Sequence, residues 1–284
     1  EEFAKNPEAV EKELKGLKNT DENGTFEKSS LDSKKEVSGK PNANSASEIN
    51  RIDNLGLTNL RTKINSLDES NKTKFLNEFE NASDDTLRAL NTEPNLVNAW
   101  QKVTYLTQEA KDVEFLRALE KVEADDVWRH IEGEVYSPTS AAGGHTLTNH
   151  TKTSIGVEDW IVSDKIRFKV SDIQLPNPWH DGMEIQKARR IQIFDGTNWV
   201  DKGMGGKSSF FPSSWSKQQV LEETALAFKN AKENSSSFKG GNVYEVLASD
   251  GITKIRFFYG NQTDVNPLFN GTTNPVIRSS FPIN

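Results

Sequence analysis

Val243-Tyr-Glu-Val-Leu-Ala-Ser-Asp-Gly-Ile-Thr-Lys-Ile-Arg-Phe-Phe258 reads as two strands around a turn. Its two arms are rich in β-branched and aromatic residues, and Asp250-Gly251 supplies the residue types that a tight hairpin turn requires. Strands joined by a hairpin run antiparallel, so this end of the chain builds an antiparallel sheet. Further towards the N-terminus, Ile166-Arg-Phe-Lys-Val170 alternates in the same way. So does Ile191-Gln-Ile-Phe194, ahead of a second Asp-Gly pair at 195–196. One helical period interrupts the strands. Ser216 is placed as an N-cap, and Val220, Leu221, Ala225 and Phe228 then share a face up to about Asn234. Residues 126–284 therefore predict an α+β domain of twisted antiparallel sheets with one main helix.

From 51 to 125 the period is helical. Leu60, Ile64 and Leu67 recur at spacings of four and three, and Phe75 and Phe79 form an i,i+4 pair with Leu76 beside them. Ser83 caps an acidic first turn, and Pro94 opens a segment in which Leu96, Val97, Trp100 and Val103 share a face. A small bundle of three to five short helices is expected. Residues 1–50 are expected to be a disordered or linker segment, because 19–47 are rich in Asn, Ser, Lys, Glu and Gly and hold few large apolar side chains.

The 284 residues carry a net charge of −7, but the charge is uneven. From 126 onward there are 17 basic and 17 acidic residues, so the whole deficit lies in the first 125. A neutral second half can meet a polyanion with a local basic patch. There is no cysteine, which excludes disulfides and thiolate metal sites. No apolar run reaches the length of a membrane span, and no signal peptide is visible. The chain opens on Glu1 rather than Met, as expected for a piece of something longer.

Two histidines fifteen residues apart are the candidates for chemistry. His130 stands where the chain enters the strand region, and His145 follows a glycine pair that can fold back towards it. Two imidazoles brought to one phosphodiester can take and give protons near neutral pH. Lys202 and Lys207 flank Gly-Met-Gly-Gly and could supply a cation. No phosphate-binding Walker loop, zinc-protease helix or serine-hydrolase elbow is present. His150 and His180 are expected to be surface or structural residues, and Phe210, Phe211 and Trp215 to be packing at the start of the helix.

His130-Ile-Glu-Gly-Glu-Val135, Gly143-Gly-His145, Lys-Ser-Ser-Phe-Phe-Pro-Ser-Ser-Trp-Ser (207–216) and Ser279-Ser-Phe-Pro282 resemble, in that order, the motifs of the bacterial EndoU ribonuclease family. The resemblance covers about 126–284. It implies an EndoU/RNase A-like fold and an endoribonuclease that cuts beside uridine, leaves a 2′,3′-cyclic phosphate and needs neither metal nor cofactor. By the same analogy His145 is the base and His130 the acid, an order the residues alone leave open. The lysine is Lys202 or Lys207, with Lys202 favoured as a strand residue ahead of the glycine turn. Ser208, Ser209, Ser279 and Phe281 are the expected substrate contacts. Relatives carry Tyr where Phe281 stands, so the ring that could stack on uracil is kept and its hydroxyl is lost.

A nuclease at the C-terminal end of an Asn/Lys-rich chain also resembles the tip of a bacterial polymorphic toxin. That resemblance implies secretion or cell-surface delivery, action in the cytoplasm of a target cell, an RNA substrate (tRNA among the candidates) and a cognate immunity protein as partner. The competing expectation is an RNA-binding or interaction module of the same fold without catalysis.

Overall fold

The computed structural model describes residues 43–107, 110–147, 149–174, 187–260 and 275–283. The first part is helical: α1 (Ala43–Asn54), α2 (Thr58–Asn65), α3 (Glu69–Phe79), α4 (Asp84–Thr92), α5 (Pro94–Lys102) and α6 (Val113–Ala124). Side chains cap three of these N-termini. Asp68 accepts from the Ser70 and Asn71 amides, Ser83 from Thr86, and Asp112 from Phe115. These are six helices among the described residues, against the three to five expected. The extra one is α1, which begins inside the stretch expected to lack structure. Its inward positions are Ser45, Glu48 and Ile52, two of them polar, so hydropathy does not reveal the helical face.

A second difference follows at Val127. Strands were expected from 126, but Val127–Glu132 forms a short helix, α7. Val127 and Ile131, four apart, are both buried, and Gly133 at φ 122 then turns the chain into extended backbone. The strands are β1 (Glu134–Ser137), β2 (Ser140–Ala142), β3 (Thr151–Ile155), β4 (Glu158–Val162), β5 (Ile166–Lys169), β6 (Ile173–Gln174), β7 (Lys187–Ala188), β8 (Gln192–Phe194), β9 (Trp199–Asp201) and β10 (Ser208–Ser209). The main helix α8 (Lys217–Glu233) follows, capped by Ser216 as expected, and then β11 (Phe238–Gly240), β12 (Val243–Leu247), β13 (Lys254–Tyr259) and β14 (Ile277–Ile283).

All described strand pairs are antiparallel. They form a β1-β2 hairpin, a five-stranded sheet in the order β3-β4-β5-β8-β9, a three-stranded sheet β10-β7-β6 and a four-stranded sheet β11-β12-β13-β14. The fold is α+β. In the opening hairpin Val243 faces Phe258 and Leu247 faces Lys254. The second arm starts at Lys254 rather than Ile252, because Asp250 Oδ1 takes the amides of Ile252 and Thr253 at 2.9 and 2.8 Å.

Among the described residues two apolar cores result. The larger joins α1–α7 to α8 and to the inner face of β12–β14, with Trp100, Phe115, Phe211, Phe228, Tyr244 and Phe257 among its members. The smaller fills the inner face of the five-stranded sheet with Ile161, Ile166, Phe168, Ile193, Val200 and Phe210. The neighbours Phe210 and Phe211 thus enter different cores. The helical layer is bound to α8 by more than apolar contact. Glu222, fully buried on α8, accepts the backbone amides of Thr104, Tyr105 and Leu106 at 2.7, 3.0 and 2.9 Å.

Candidate active site

Residues 143–145 meet the end of α7 through the backbone. The last carbonyls of a helix lack intrahelical partners. Here Gly144 N donates to His130 O at 3.1 Å, and His145 N donates to Ile131 O at 2.6 Å. The contact needs glycine at 143, where φ is +73° and a Cβ would lie 1.7 Å from the His130 carbonyl oxygen. One turn thereby seats both imidazoles, with ring centroids 5.8 Å apart.

His130 is half-buried in the last turn of α7. Its Nδ1 faces Glu134 Oε1 at 2.9 Å, and Tyr136 donates its hydroxyl to the same oxygen. A carboxylate only accepts, so the proton sits on Nδ1 and Nε2 is the nitrogen available for chemistry. Burial holds the pKa of His130 below the usual histidine value, and the carboxylate of Glu134 works in the opposite direction.

His145 is buried, with 6% exposure. Its Nδ1 lies 2.9 Å from the carbonyl oxygen of Ser209, again a pure acceptor, so Nε2 carries the free lone pair. Burial, then the nearby Lys202 ammonium, press its pKa well below the ordinary value, which keeps the ring neutral at pH 7. The ring of Phe281 stacks on it with centroids 4.8 Å apart and planes 18° off parallel.

Of the two candidate lysines, the structure brings Lys202 to the histidines. It follows β9 and is held by a hydrogen bond from its backbone N–H to Ile191 O and by a bridge to Ala141. Its Nζ donates to Ser208 Oγ at 3.1 Å, and burial lowers its pKa to about 8. Lys207 stands exposed immediately before β10, because Ser208 takes the inward position of that strand.

Ser208, expected among the substrate contacts, is buried in the structure. It is 5% exposed, and its hydroxyl is shared between Gly144 O, His145 Nδ1 and Lys202 Nζ. One donor and two lone pairs are thereby filled, so it positions His145 and Lys202. Ser209 has two tasks: its carbonyl sets the His145 tautomer, and its hydroxyl donates to Pro282 O, which ties β10 to β14 beside Phe281. Ser279 lies on the same strand face as Phe281, two residues away, and is 9% exposed. His150 is exposed with Nδ1 against Leu147 O, and His180 lies outside the described residues. Phe211 and Trp215 stack at 5.9 Å at the start of α8, and Phe210 stacks on Phe168.

The family model described as Bacterial EndoU nuclease matches residues 127–283. The chain belongs to this family. The EndoU match begins at the first residue of α7 and runs through β14, so it holds every candidate residue named above. No curated protein and no solved structure matches the chain. As an EndoU nuclease domain it carries its paired histidines, Lys202 and Phe281 at the seam between the two cores. Among the described residues no three His, Asp or Glu side chains come together at metal-binding distance, and no helix is long and apolar enough to cross a membrane.

Glu134, Tyr136 and the bridging role of Ser208 were missed in the sequence reading. Glu134 stands within the His130–Val135 motif, four residues after His130; side chains at that spacing meet on a helix, and these two still meet although the helix ends at Glu132.

Proposed function

We propose that the protein is an endoribonuclease that cuts RNA beside uridine by a two-histidine reaction. The observation that carries this reading is the unlike treatment of two imidazoles 5.8 Å apart, one buried neutral with Nε2 free and the other backed by a carboxylate. His145 Nε2 takes the proton of the ribose 2′-OH. The oxygen attacks phosphorus and forms the new P–O bond, while the bond to the 5′-oxygen breaks. His130, protonated and steadied by Glu134, gives its proton to that departing oxygen. Lys202 stabilises charge on the pentacoordinate phosphorus as it develops. The products are a 2′,3′-cyclic phosphate and a 5′-hydroxyl, and the need for the 2′-OH limits the substrate to RNA. All three catalytic groups belong to the protein, which supports a reaction without metal.

Phe281 and Ser279 support the uridine preference, the first offering a ring beside His145 and the second a hydroxyl on the same strand face. The test is the full chain with uridine-containing RNA in EDTA, beside His130→Ala and His145→Ala. The reading predicts cleavage by the parent alone, ending in cyclic phosphate. Metal-restored cleavage would remove metal independence, and binding without cleavage would leave an RNA-binding module.

The toxin reading, with its secreted route, target-cell action and immunity partner, is likewise our proposal, supported by the position of the nuclease behind an Asn/Lys-rich segment. It predicts that cytoplasmic expression arrests bacterial growth and that His145→Ala does not.

A further inference from the structure

The outward face of the five-stranded sheet carries an unusual set of side chains. Ile161, Phe168 and Val200 point into the smaller core, so alternation sends Trp160, Arg167, Lys169 and Trp199 to the opposite face. The Arg167 guanidinium lies 4.6 Å from the Trp199 ring and 5.2 Å from the Trp160 ring, and the Lys169 ammonium lies 5.6 Å from Trp160. Rings and cations in a row across strands suit a single nucleic-acid strand, whose bases stack on the rings while its phosphates meet the charges.

This row ends at a cavity of about 440 Å³, walled by Trp160, Lys169, Arg190 and Lys202 with Asp172 and Asp201 as its acidic members, and Lys169 also pairs with Glu158 at 2.7 Å. Lys202 is also the lysine beside His145, so the cavity adjoins the position of the scissile phosphate. Arg190 is anchored at one guanidinium nitrogen to Asp172, yet 72% of its side chain remains exposed. Its backbone sits at φ 51, a left-handed conformation that arginine rarely adopts. Gly206 packs against it so closely that a Cβ there would lie 2.8 Å from Arg190 Cα. Strained backbone that presents an anchored cation is a feature of binding sites. A neighbouring cavity of about 500 Å³ shares Arg190 and adds Arg189, which continues the groove.

We propose that the cavity between Trp160, Arg190 and Lys202 is a subsite for a nucleotide flanking the scissile bond, with its base on Trp160 and its phosphate at Arg190. The proposal rests on the ribonuclease reading and deepens it. The subsite is separate from the uridine contacts, because Ser279 and Phe281 lie on β14 in another sheet.

The test compares two substrates of the full chain: uridine 3′-methylphosphate, which has no flanking nucleotide, and a single-stranded RNA of about ten nucleotides with one uridine. Trp160→Ala is expected to raise KM for the longer RNA by about tenfold, from the lost stacking of one base, and to leave cleavage of the methyl ester unchanged. Trp160→Phe restores most of the difference. Arg190→Gln weakens only the longer substrate and flattens its salt dependence. Equal losses on both substrates, or no loss on either, would overturn the subsite. A parent that cleaves neither substrate would remove the ribonuclease reading and the subsite with it.

Discussion

A Cβ on Gly143 would stand 1.7 Å from the carbonyl oxygen of His130, so the chain bearing one histidine is pressed against the backbone of the other. The contact sets the spacing of the two rings, and φ of +73° at Gly143 disfavours other residues on a second ground. Gly143→Ala should lower activity at least a hundredfold and reduce stability by about 2 kcal/mol or more. Paired cleavage and denaturant measurements check this; near-parent activity would show that the turn does not set the spacing.

The pKa directions fix the sign of the pH profile. In the proposed reaction His145 must be neutral to accept a proton, and its pKa lies well below 6.5, so activity is expected to be lost only as pH falls through that depressed pKa. His130 must be protonated to donate, and its pKa is also below 6.5, so activity falls again as pH rises through it. The optimum of kcat/KM is therefore expected on the acid side of 6.5, with a further decline near 8 as Lys202 loses its charge. Glu134→Gln removes the group that raises the His130 pKa and should move the alkaline limb to lower pH. An optimum near 8 would contradict these assignments.

The same burial of His145 couples to stability. Its folded-state pKa is depressed, so the unfolded chain binds the proton more readily. Stability should be complete above about 6.5, the pKa of an unperturbed histidine, and decline as pH is lowered from there. Thermal unfolding against pH should show a slope that His145→Gln reduces.

Ser208→Ala removes the hydroxyl that joins Lys202, Gly144 and His145. Because the hydroxyl is buried and taken up by these three partners, kcat is expected to fall by about tenfold with KM little changed, as when one hydrogen bond of about 1.4 kcal/mol supports the transition state. A change confined to KM would instead make Ser208 a substrate contact.

Glu222 makes the helical layer part of the nuclease. Glu222→Ala would leave the partly buried amides of Thr104, Tyr105 and Leu106 without their acceptor and should destabilise the protein by about 1–3 kcal/mol. Removing residues 43–125 would also strip α8 of the apolar surface it packs against. Expression of 126–284 alone should then give an unfolded or aggregated chain; a cooperative unfolding transition from that fragment would refute the dependence.

Much of the fold was legible because it rests on local signals. Ser83, Pro94 and Ser216 start helices through bonds or dihedral preferences within a few residues, and Asp250-Gly251 shapes its hairpin in the same way. The helix α1 was missed because its buried face is partly polar, and α7 because six residues are too few for periodicity to show. The candidate histidines, lysines and Phe281 could be named from motifs, whereas the part played by each could not.

The sequence by itself determined the antiparallel α+β character, the family motifs and the short set of residues from which a site could be built, since each depends on residue type and near-neighbour spacing. Tertiary structure alone decided that Lys202 rather than Lys207 meets His145, that Ser208 is a buried bridge, and that Glu222 binds the helical layer to the nuclease. Those contacts join residues that lie from six to more than a hundred positions apart. They exist because packing brings distant segments together and buries polar groups that must then satisfy one another, Ser208 between Lys202 and His145 and Glu222 within the larger core.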